Sequence, residues 1–350
     1  APYVDAIAVN DNVDSPEGWI APYFFDGLRQ LSGAKPVFVS EWFYAARENR
    51  SGNRNNGHLM TVGTQEERAR GAAAAARAFA AVPELVGLDW FQFYDYPRGG
   101  RADGEDYDFG LVDIAGRPYR RLVAALAAAN RALPRLHEAA RLPAPAGIGE
   151  VAIPYAQIDP AHAPLIDFPK PAALLPPLKA APGEVAFGEA YLAWSEDGMA
   201  LATIGQDYFD PGLLAYHGAF PPSQEYAVEL DLDAGAGPRR FVLTVEPPPR
   251  GAAHADMSVR LCARTPAAPC QAVPGAWARY FGAGQPRIVA EAMLPWGALG
   301  VAGPPAERRL RLEISATSWF RARWMSLTGL PPAEGSGDPE RWPEVRLAPR

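Results

Sequence analysis

The sequence has 350 residues, a formal net charge of −7 and 48% hydrophobic residues. Such a length suits two domains or one large barrel, and the apolar content is sufficient to build real cores. The acidic balance argues against nucleic acid or an anionic membrane as the main partner, and no apolar run approaches the roughly 18 residues that a membrane helix needs.

The chain opens with a short apolar strand followed by a helix. Residues 3–9 predict a strand that ends at Asn10, and residues 19–31 have helical spacing with Gly33 at the C-cap position. The sequence starts at Ala1 with neither Met nor a signal peptide. Processing of a mature protein would explain this start, but we favour truncation because the barrel inferred below is incomplete.

A second strand and helix follow, separated by a long polar loop. Residues 36–39 predict an apolar strand that runs into Glu41, and the loop over residues 47–63 is longer than a plain connection requires. A loop of this length is typical of a functional segment. Thr64 and Glu67 then predict a capping box at the start of the second helix.

The third unit has the same order of elements. Residues 85–93 predict a strand, residues 95–108 a polar loop and residues 119–133 a closing helix. Strands that alternate with helices indicate a parallel sheet with helices outside it. A complete barrel takes roughly 250 residues, so we interpret residues 1–140 as three units of an incomplete (β/α)8 TIM barrel, and the family resemblance given below implies that they are its last three units.

The second half of the chain differs from the first in composition and in its predicted secondary structure. Residues 141–183 are dense in Pro and Ala and predict a linker, and residues 184–350 contain short strands separated by turn residues. This pattern is typical of an antiparallel β-sandwich. The predicted fold class is therefore α/β plus all-β.

Two cysteines, Cys262 and Cys270, lie close together in the predicted sandwich. Either a local disulfide of an exported protein or two unpaired thiols fits this spacing, and the sequence leaves both open. Neither cysteine has neighbours of metal-ligand type, so we expect no metal and no cofactor.

Polar and aromatic side chains collect where the predicted strands end, which is where barrel enzymes place their active sites. Glu41 is the candidate catalytic residue, because a carboxylate that ends an apolar strand is costly unless it is hydrogen-bonded or functional. A salt-bridged Glu at a strand terminus is the alternative. Aromatic faces with polar edges suit sugars, although part of this set could be core. The predicted substrate contacts are Asn10, Trp42, His58, Trp90, Gln92, Tyr94, Asp95 and Glu105.

The residues of these strand ends resemble a known family. Residues 35–43, Lys-Pro-Val-Phe-Val-Ser-Glu-Trp-Phe, resemble strand seven of clan A glycoside hydrolases, and residues 86–95 resemble their strand eight. Together with residues 65–69 and 103–119, the block is similar to the β-agarases of glycoside hydrolase family 50. The resemblance implies that Glu41 is the nucleophile of a retaining enzyme. It also implies an acid/base Glu at the end of strand four, to which no segment of this chain corresponds.

The second half has a resemblance of its own. Residues 189–201, 225–233 and 289–300 are similar to the sandwich of family 9 carbohydrate-binding modules, in which tryptophans can clamp a sugar. The resemblance makes Trp319 and Trp324 the candidate sugar-binding residues of the sandwich. Trp194 and Trp296 are predicted to be core residues instead.

We therefore expect a secreted or periplasmic retaining glycosidase that acts on a polysaccharide, agarose-like or another galactan, and carries an accessory sandwich. Two alternatives remain open: a non-catalytic carbohydrate-binding protein with a degenerate barrel, and a β-galactosidase-like hydrolase of clan A.

Overall fold

The computed structural model describes residues 3–10, 13, 15–55, 59–102, 104–141, 151–157, 173–174, 178, 188–205, 226–246, 258–264, 269–280, 289–318, 323–328 and 338–350. The elements of the front part are β1 (Ile7–Asn10), α1 (Pro22–Ser32), β2 (Val37–Trp42), β3 (Ala45–Ala46), β4 (Thr61–Val62), α2 (Gln65–Ala80), β5 (Leu85–Trp90) and α3 (Arg120–Glu138). Within these ranges, no helix is long and apolar enough to cross a membrane.

The front part is built on a parallel sheet in the order β1-β2-β5. Its core lies between this sheet and the helices, where α2 presents an alanine-rich buried face around Phe79. The close packing requires Gly71, since a Cβ there would come within 2.6 Å of the Tyr44 ring. The predicted alternation of strands and helices is confirmed. Three strands do not close a barrel, so the (β/α)8 architecture stays a prediction.

The long polar loop after β2 is folded back on itself rather than extended. β3 and β4 pair in parallel, so the chain returns to α2 with its backbone hydrogen-bonded. Helix α2 then begins at the predicted capping box, in which Thr64 and Glu67 each accept a hydrogen bond from the other's backbone N–H.

The back part is a sandwich of two sheets. Its strands are β6 (Ala152–Ile153), β7 (Ala173–Leu174), β8 (Gly188–Trp194), β9 (Gly198–Gly205), β10 (Tyr226–Asp233), β11 (Arg239–Glu246), β12 (Ser258–Ala263), β13 (Gln271–Ala272), β14 (Trp277–Tyr280), β15 (Val289–Pro295), β16 (Arg309–Ser318), β17 (Arg323–Ser326) and β18 (Glu344–Leu347). The described part of the sandwich also contains 3-10 helices at Trp296–Leu299 and Pro339–Arg341.

The larger sheet has the order β13-β12-β11-β10-β16-β18-β6, with β17 also paired to β16, and the smaller sheet has the order β14-β15-β9-β8-β7. Alternate residues of both sheets point inward and form one apolar core. Trp194 and Trp296 belong to it, as predicted. Strands β6 and β7 lie within residues 141–183, so the sandwich takes up parts of the segment interpreted as a linker.

Cys262 and Cys270 are joined by a disulfide. Cys262 is on β12, and the bond spans the short connection to β13, with which β12 pairs. The structure therefore contains the first of the two alternatives that the sequence left open.

Candidate active site

The three parallel strands bring their last residues to one edge. Asn10 of β1 is in register with Glu41 of β2, and Trp42 is in register with Trp90 of β5. Both pairings shift register just before these residues, and such irregularities re-aim side chains at strand ends. The structure therefore brings Asn10, Glu41 and Trp90 together at one edge of the sheet.

Glu41 is half-buried at this edge. The hydroxyl of its neighbour Ser40 donates to Asn10 Oδ1 at 2.9 Å and to the Val9 carbonyl at 3.1 Å, which ties the end of β2 to the end of β1. Among the residues that the structure describes, no side chain forms an ion pair or hydrogen bond with the Glu41 carboxylate. The salt-bridged alternative therefore has no partner within the described ranges.

The two tryptophans of the edge have different surroundings. Trp42 is 3% exposed and packs edge-on against Phe79 and Trp90, with ring centroids 5.5 and 5.0 Å apart. Because its ring is enclosed between sheet and helix, we do not retain Trp42 as a sugar contact. Trp90 is partly buried, and its Nε1 donates to the Phe109 carbonyl at 2.9 Å.

The segment after β5 exposes aromatic rings. Backbone hydrogen bonds join Gln92 to Phe109 and Leu111, and the Phe91–Gln92 peptide bond is cis. Tyr94 is 53% exposed and Phe93 is 58% exposed, with ring centroids 4.8 Å apart. The strand predicted over residues 85–93 ends at Trp90, so the alternation of side chains across a sheet does not apply to Phe93 and Tyr94.

Asp95 is in the interior rather than on the predicted sugar-binding surface. It is 4% exposed and accepts hydrogen bonds from Ser51 Oγ at 2.5 Å, Tyr119 Oη at 2.7 Å and the Gly110 backbone N–H at 2.8 Å. Burial raises the pKa of Asp95 against the lowering effect of these donors. Asp95 therefore links the long loop, through Ser51, to the start of α3, through Tyr119. Because its carboxylate is buried, we do not retain it as a sugar contact.

A buried ion pair beneath the same edge was not predicted. Arg68 of α2 and Asp108 are both fully buried, with Nη1 and Oδ2 3.3 Å apart. Asp108 also accepts from the Ala46 N–H at 2.8 Å and from Gln65 Nε2 at 3.0 Å. Burial raises the pKa of Asp108 to about 6, although Arg68 opposes the shift. The sequence signal that could have revealed this ion pair is Arg68, a charged residue at a core-facing position of an alanine-rich helix.

Arg68 connects the two loops that carry the candidate site. Its Nε donates to the carbonyl of Tyr44, three residues after Glu41, at 2.7 Å, and its Nη2 donates to the Gly110 carbonyl at 3.0 Å. The guanidinium also lies over the Trp90 ring, 5.8 Å from its centroid. The positions of the loops that follow β2 and β5 are therefore linked through one side chain.

The remaining predicted residues are more distant or lie outside the described part of the chain. Glu105 accepts a hydrogen bond from Tyr96 Oη at 2.8 Å and pairs with Arg101 at 3.4 Å, at a partly exposed position. His58 and Trp319 lie outside the described residues, and for Trp324 only its backbone position is described, opposite Thr317. No cluster that could hold a metal ion occurs in the described ranges.

The outward face of the larger sandwich sheet is unusually polar. Glu229, Asp231 and Glu313 lie on adjacent strands there, and each is less than 5% exposed. Arg240 pairs closely with Glu229, whereas its Nε lies 3.7 Å from Asp231 Oδ1. The guanidinium therefore compensates Glu229 more than Asp231. Burial and the Glu313 charge therefore raise the pKa of Asp231 to about 7.

Comparisons with known proteins agree with the sequence resemblance over part of the chain. The chain is 32% identical over 129 residues to β-agarase B and 33% identical over 121 residues to β-agarase A, both of Vibrio sp. strain JT0107. These matches cover 36% and 34% of this chain but 12% of each agarase, so the chain spans a small part of these relatives. No protein-family model matches the chain.

Solved structures overlap with separate parts of the molecule. PfGH50B is 30% identical with a TM-score of 0.33 over 39% of this chain and 19% of its own. An exo-β-agarase is 26% identical with a TM-score of 0.34 over 39% and 17%. A family 9 carbohydrate-binding module from Caldicellulosiruptor kristjanssonii, in complex with cellotriose, is 12% identical with a TM-score of 0.36 over 57% and 94%. The predicted resemblance, a family 50-like portion followed by a family 9-like sandwich, is confirmed. TM-scores of this size do not support an argument about function.

Proposed function

We propose that this chain supplies the nucleophile and part of the sugar cleft of a retaining glycoside hydrolase that cleaves an agarose-like galactan. The observation that best supports this proposal is the position of Glu41. Glu41 is a half-buried carboxylate at the end of an apolar strand, in register with Asn10 and engaged by no other described side chain. The sequence similarity to two β-agarases supports the same substrate class.

The proposed reaction has two steps. The Glu41 carboxylate attacks the anomeric carbon as the glycosidic C–O bond breaks, and a second carboxyl gives its proton to the leaving oxygen. That second group then takes a proton from the water that hydrolyses the glycosyl-enzyme bond. We do not assign it to a described residue, because in the inferred barrel it belongs to another strand.

The other residues of the edge are proposed to bind the sugar. Asn10 and Gln92 have amide groups that can exchange hydrogen bonds with hydroxyls, and Trp90, Phe93 and Tyr94 offer aromatic surface to apolar sugar faces. A partly exposed Glu105 is a proposed outer contact, and His58 remains a proposed contact from the long loop.

The experiment is a substrate panel with the gene product that contains this chain. Hydrolysis of agarose or another galactan is expected, and proton NMR of the first product should show retention of the anomeric configuration. Inversion would refute the role of Glu41 as nucleophile. Release of single galactose units with no action on polymer would favour the β-galactosidase-like alternative.

A second proposed function belongs to the sandwich. Trp319 and Trp324 are proposed to stack on the sugar rings, as the resemblance to family 9 carbohydrate-binding modules implies. Replacing either by Ala should weaken polysaccharide pull-down by about 1 kcal/mol. Pull-down without hydrolysis by the gene product would favour the non-catalytic alternative. The Cys262–Cys270 disulfide supports a secreted or periplasmic location.

A further inference from the structure

A pocket of about 530 Å³ lies where α2 and α3 begin. Among its lining residues are four arginines, Arg50, Arg117, Arg120 and Arg121, and a single carboxylate, Glu48. The whole chain carries a net charge of −7, so this concentration of positive charge is local and opposite to the overall sign.

The carboxylates around the pocket do not match its arginines in number. The buried Asp113 serves two of them, with its Oδ2 3.2 Å from Arg50 Nε and 2.8 Å from Arg117 Nε. Arg121 pairs at the surface with Glu66 at 3.0 Å. Arg120 is exposed and has no ion-pair partner in the described part of the chain. A surplus of positive charge therefore remains on the wall.

One of the arginines is held in place before any ligand arrives. Arg50 Nη2 donates to the carbonyls of Arg117 and Pro118 at 2.9 and 3.0 Å, and its guanidinium stacks over the Tyr119 ring at 4.6 Å. A fixed guanidinium loses little conformational entropy when it binds an anion. Helix α3 adds to the positive electrostatic potential of the pocket, because its first turn has no acidic residue and its N-cap Tyr119 makes no capping hydrogen bond.

We propose that this pocket binds a tetrahedral oxyanion of the sulfate type, carried as an ester on a polysaccharide or free in solution. Guanidinium groups match such oxyanions with paired N–H donors, so Arg117 and Arg120 are assigned as the groups that close on the ligand. The exposed Pro118 gives the wall an apolar part against which an attached sugar ring could pack. The site uses none of the residues proposed for catalysis.

The test is isothermal titration of the 350-residue chain with sodium sulfate, against sodium chloride at equal ionic strength. Arg117→Gln and Arg120→Gln should each weaken sulfate affinity at least threefold, and the double variant at least tenfold. Arg131→Gln is the matched control, because Arg131 is exposed on the same helix and outside the pocket. Circular dichroism of each variant verifies folding.

The source of the anion is separated by a second titration, with sulfated and unsulfated galactan oligosaccharides of equal length. Tighter binding of the sulfated form, lost in the double variant, assigns the ester. Equal binding of both forms, with sulfate itself bound, assigns the free anion. Sulfate binding no stronger than chloride, or unchanged in the double variant, would overturn the proposal. None of these outcomes depends on whether the protein hydrolyses agarose.

Discussion

At the scale of single residues, the Arg68–Asp108 pair decides how firmly the candidate site is held. Both groups are fully buried, and Arg68 reaches the backbone of the loops after β2 and β5. A buried ion pair adds little net stability compared with apolar packing, but losing one partner leaves an uncompensated charge. The pair therefore acts as a positional constraint on the site.

Replacing Arg68 by Met should reduce the free energy of unfolding of the front part by about 3–5 kcal/mol, since Asp108 would stay buried without its cation. Urea unfolding of the gene product that contains this chain measures the loss. Arg70→Met is the matched control, because Arg70 is exposed on the same helix and should cost under about 0.5 kcal/mol. Asp108→Asn in the Arg68→Met background should recover part of the loss. A double variant no more stable than Arg68→Met would contradict this explanation.

Asp231 should make the sandwich less stable as the pH rises. Its pKa is raised from 3.8 to about 7 by burial and by Glu313, so the native state keeps a proton that the unfolded chain releases near pH 4. Stability is therefore lost between about pH 4 and pH 7. Asp231→Asn should raise the free energy of unfolding at pH 8 by about 1 kcal/mol or more, with little effect at pH 4.

Urea unfolding of the Asp231→Asn variant across this pH range is the measurement. Asp197→Asn is the control, because Asp197 is an exposed carboxylate of the same sandwich and its replacement should give a difference independent of pH. A constant offset for Asp231→Asn as well would show that the carboxyl is not held protonated.

At the scale of elements, sequence patterns predicted what local chemistry determines. Gly33 ends α1 with a positive φ of 70°, and Thr64 and Glu67 cap α2, because both signals act within one helical turn. Element ends were less predictable. Helix α3 continues through Pro134 to Glu138, and β1 is shorter than the apolar run predicted, since pairing with β2 fixes it.

The candidate site divides in the same manner. Glu41, Asn10 and Trp90 were predicted because they follow or end apolar strands. The interior positions of Trp42 and Asp95 and the exposure of Phe93 depend on where the long loops pack, which no local pattern encodes. Arg68 and Asp108 are 40 residues apart in the sequence. Their pairing depends on the packing of a loop against α2, which a local sequence pattern does not predict.

Thr64→Ala should destabilise α2 by about 1 kcal/mol, because the side-chain acceptor for the Glu67 backbone N–H is lost. The change in urea midpoint of the front part, measured in the gene product that contains this chain, reports the loss. Thr64→Ser keeps the hydroxyl and should retain most of the stability. Equal losses for Ala and Ser would show that the capping hydrogen bond contributes nothing.

At the scale of the whole molecule, the sandwich should fold as a unit that includes part of the Pro-rich segment. Strand β6 pairs with β18, Ile153 is fully buried, and the Tyr155 ring lies 4.9 Å from that of Trp194. A fragment of residues 150–350 should unfold cooperatively, with about 2 kcal/mol more stability than residues 184–350, because it buries these side chains. Equal urea midpoints would show that β6 adds nothing.

The front part should behave differently from the sandwich. Among the described residues, its sheet has β1 and β5 at the edges, and strand edges without partners favour aggregation. Residues 1–140 expressed alone should be insoluble or lack a cooperative transition. A sharp, reversible melt of that fragment would show that three units are self-sufficient.

The most direct test of the central claim is the turnover of Glu41→Gln in the gene product that contains this chain. Gln keeps the shape of the side chain but removes the attacking charge, so kcat on galactan should fall by at least about a thousandfold while substrate binding stays within a few-fold. Glu138→Gln, an exposed change at the far end of α3, is the control and should leave kcat unchanged. In Glu41→Ala, where the side chain no longer fills the space below the sugar, azide should restore turnover and give a glycosyl azide of inverted configuration. Near-normal kcat in Glu41→Gln would contradict the assignment of Glu41 as the nucleophile.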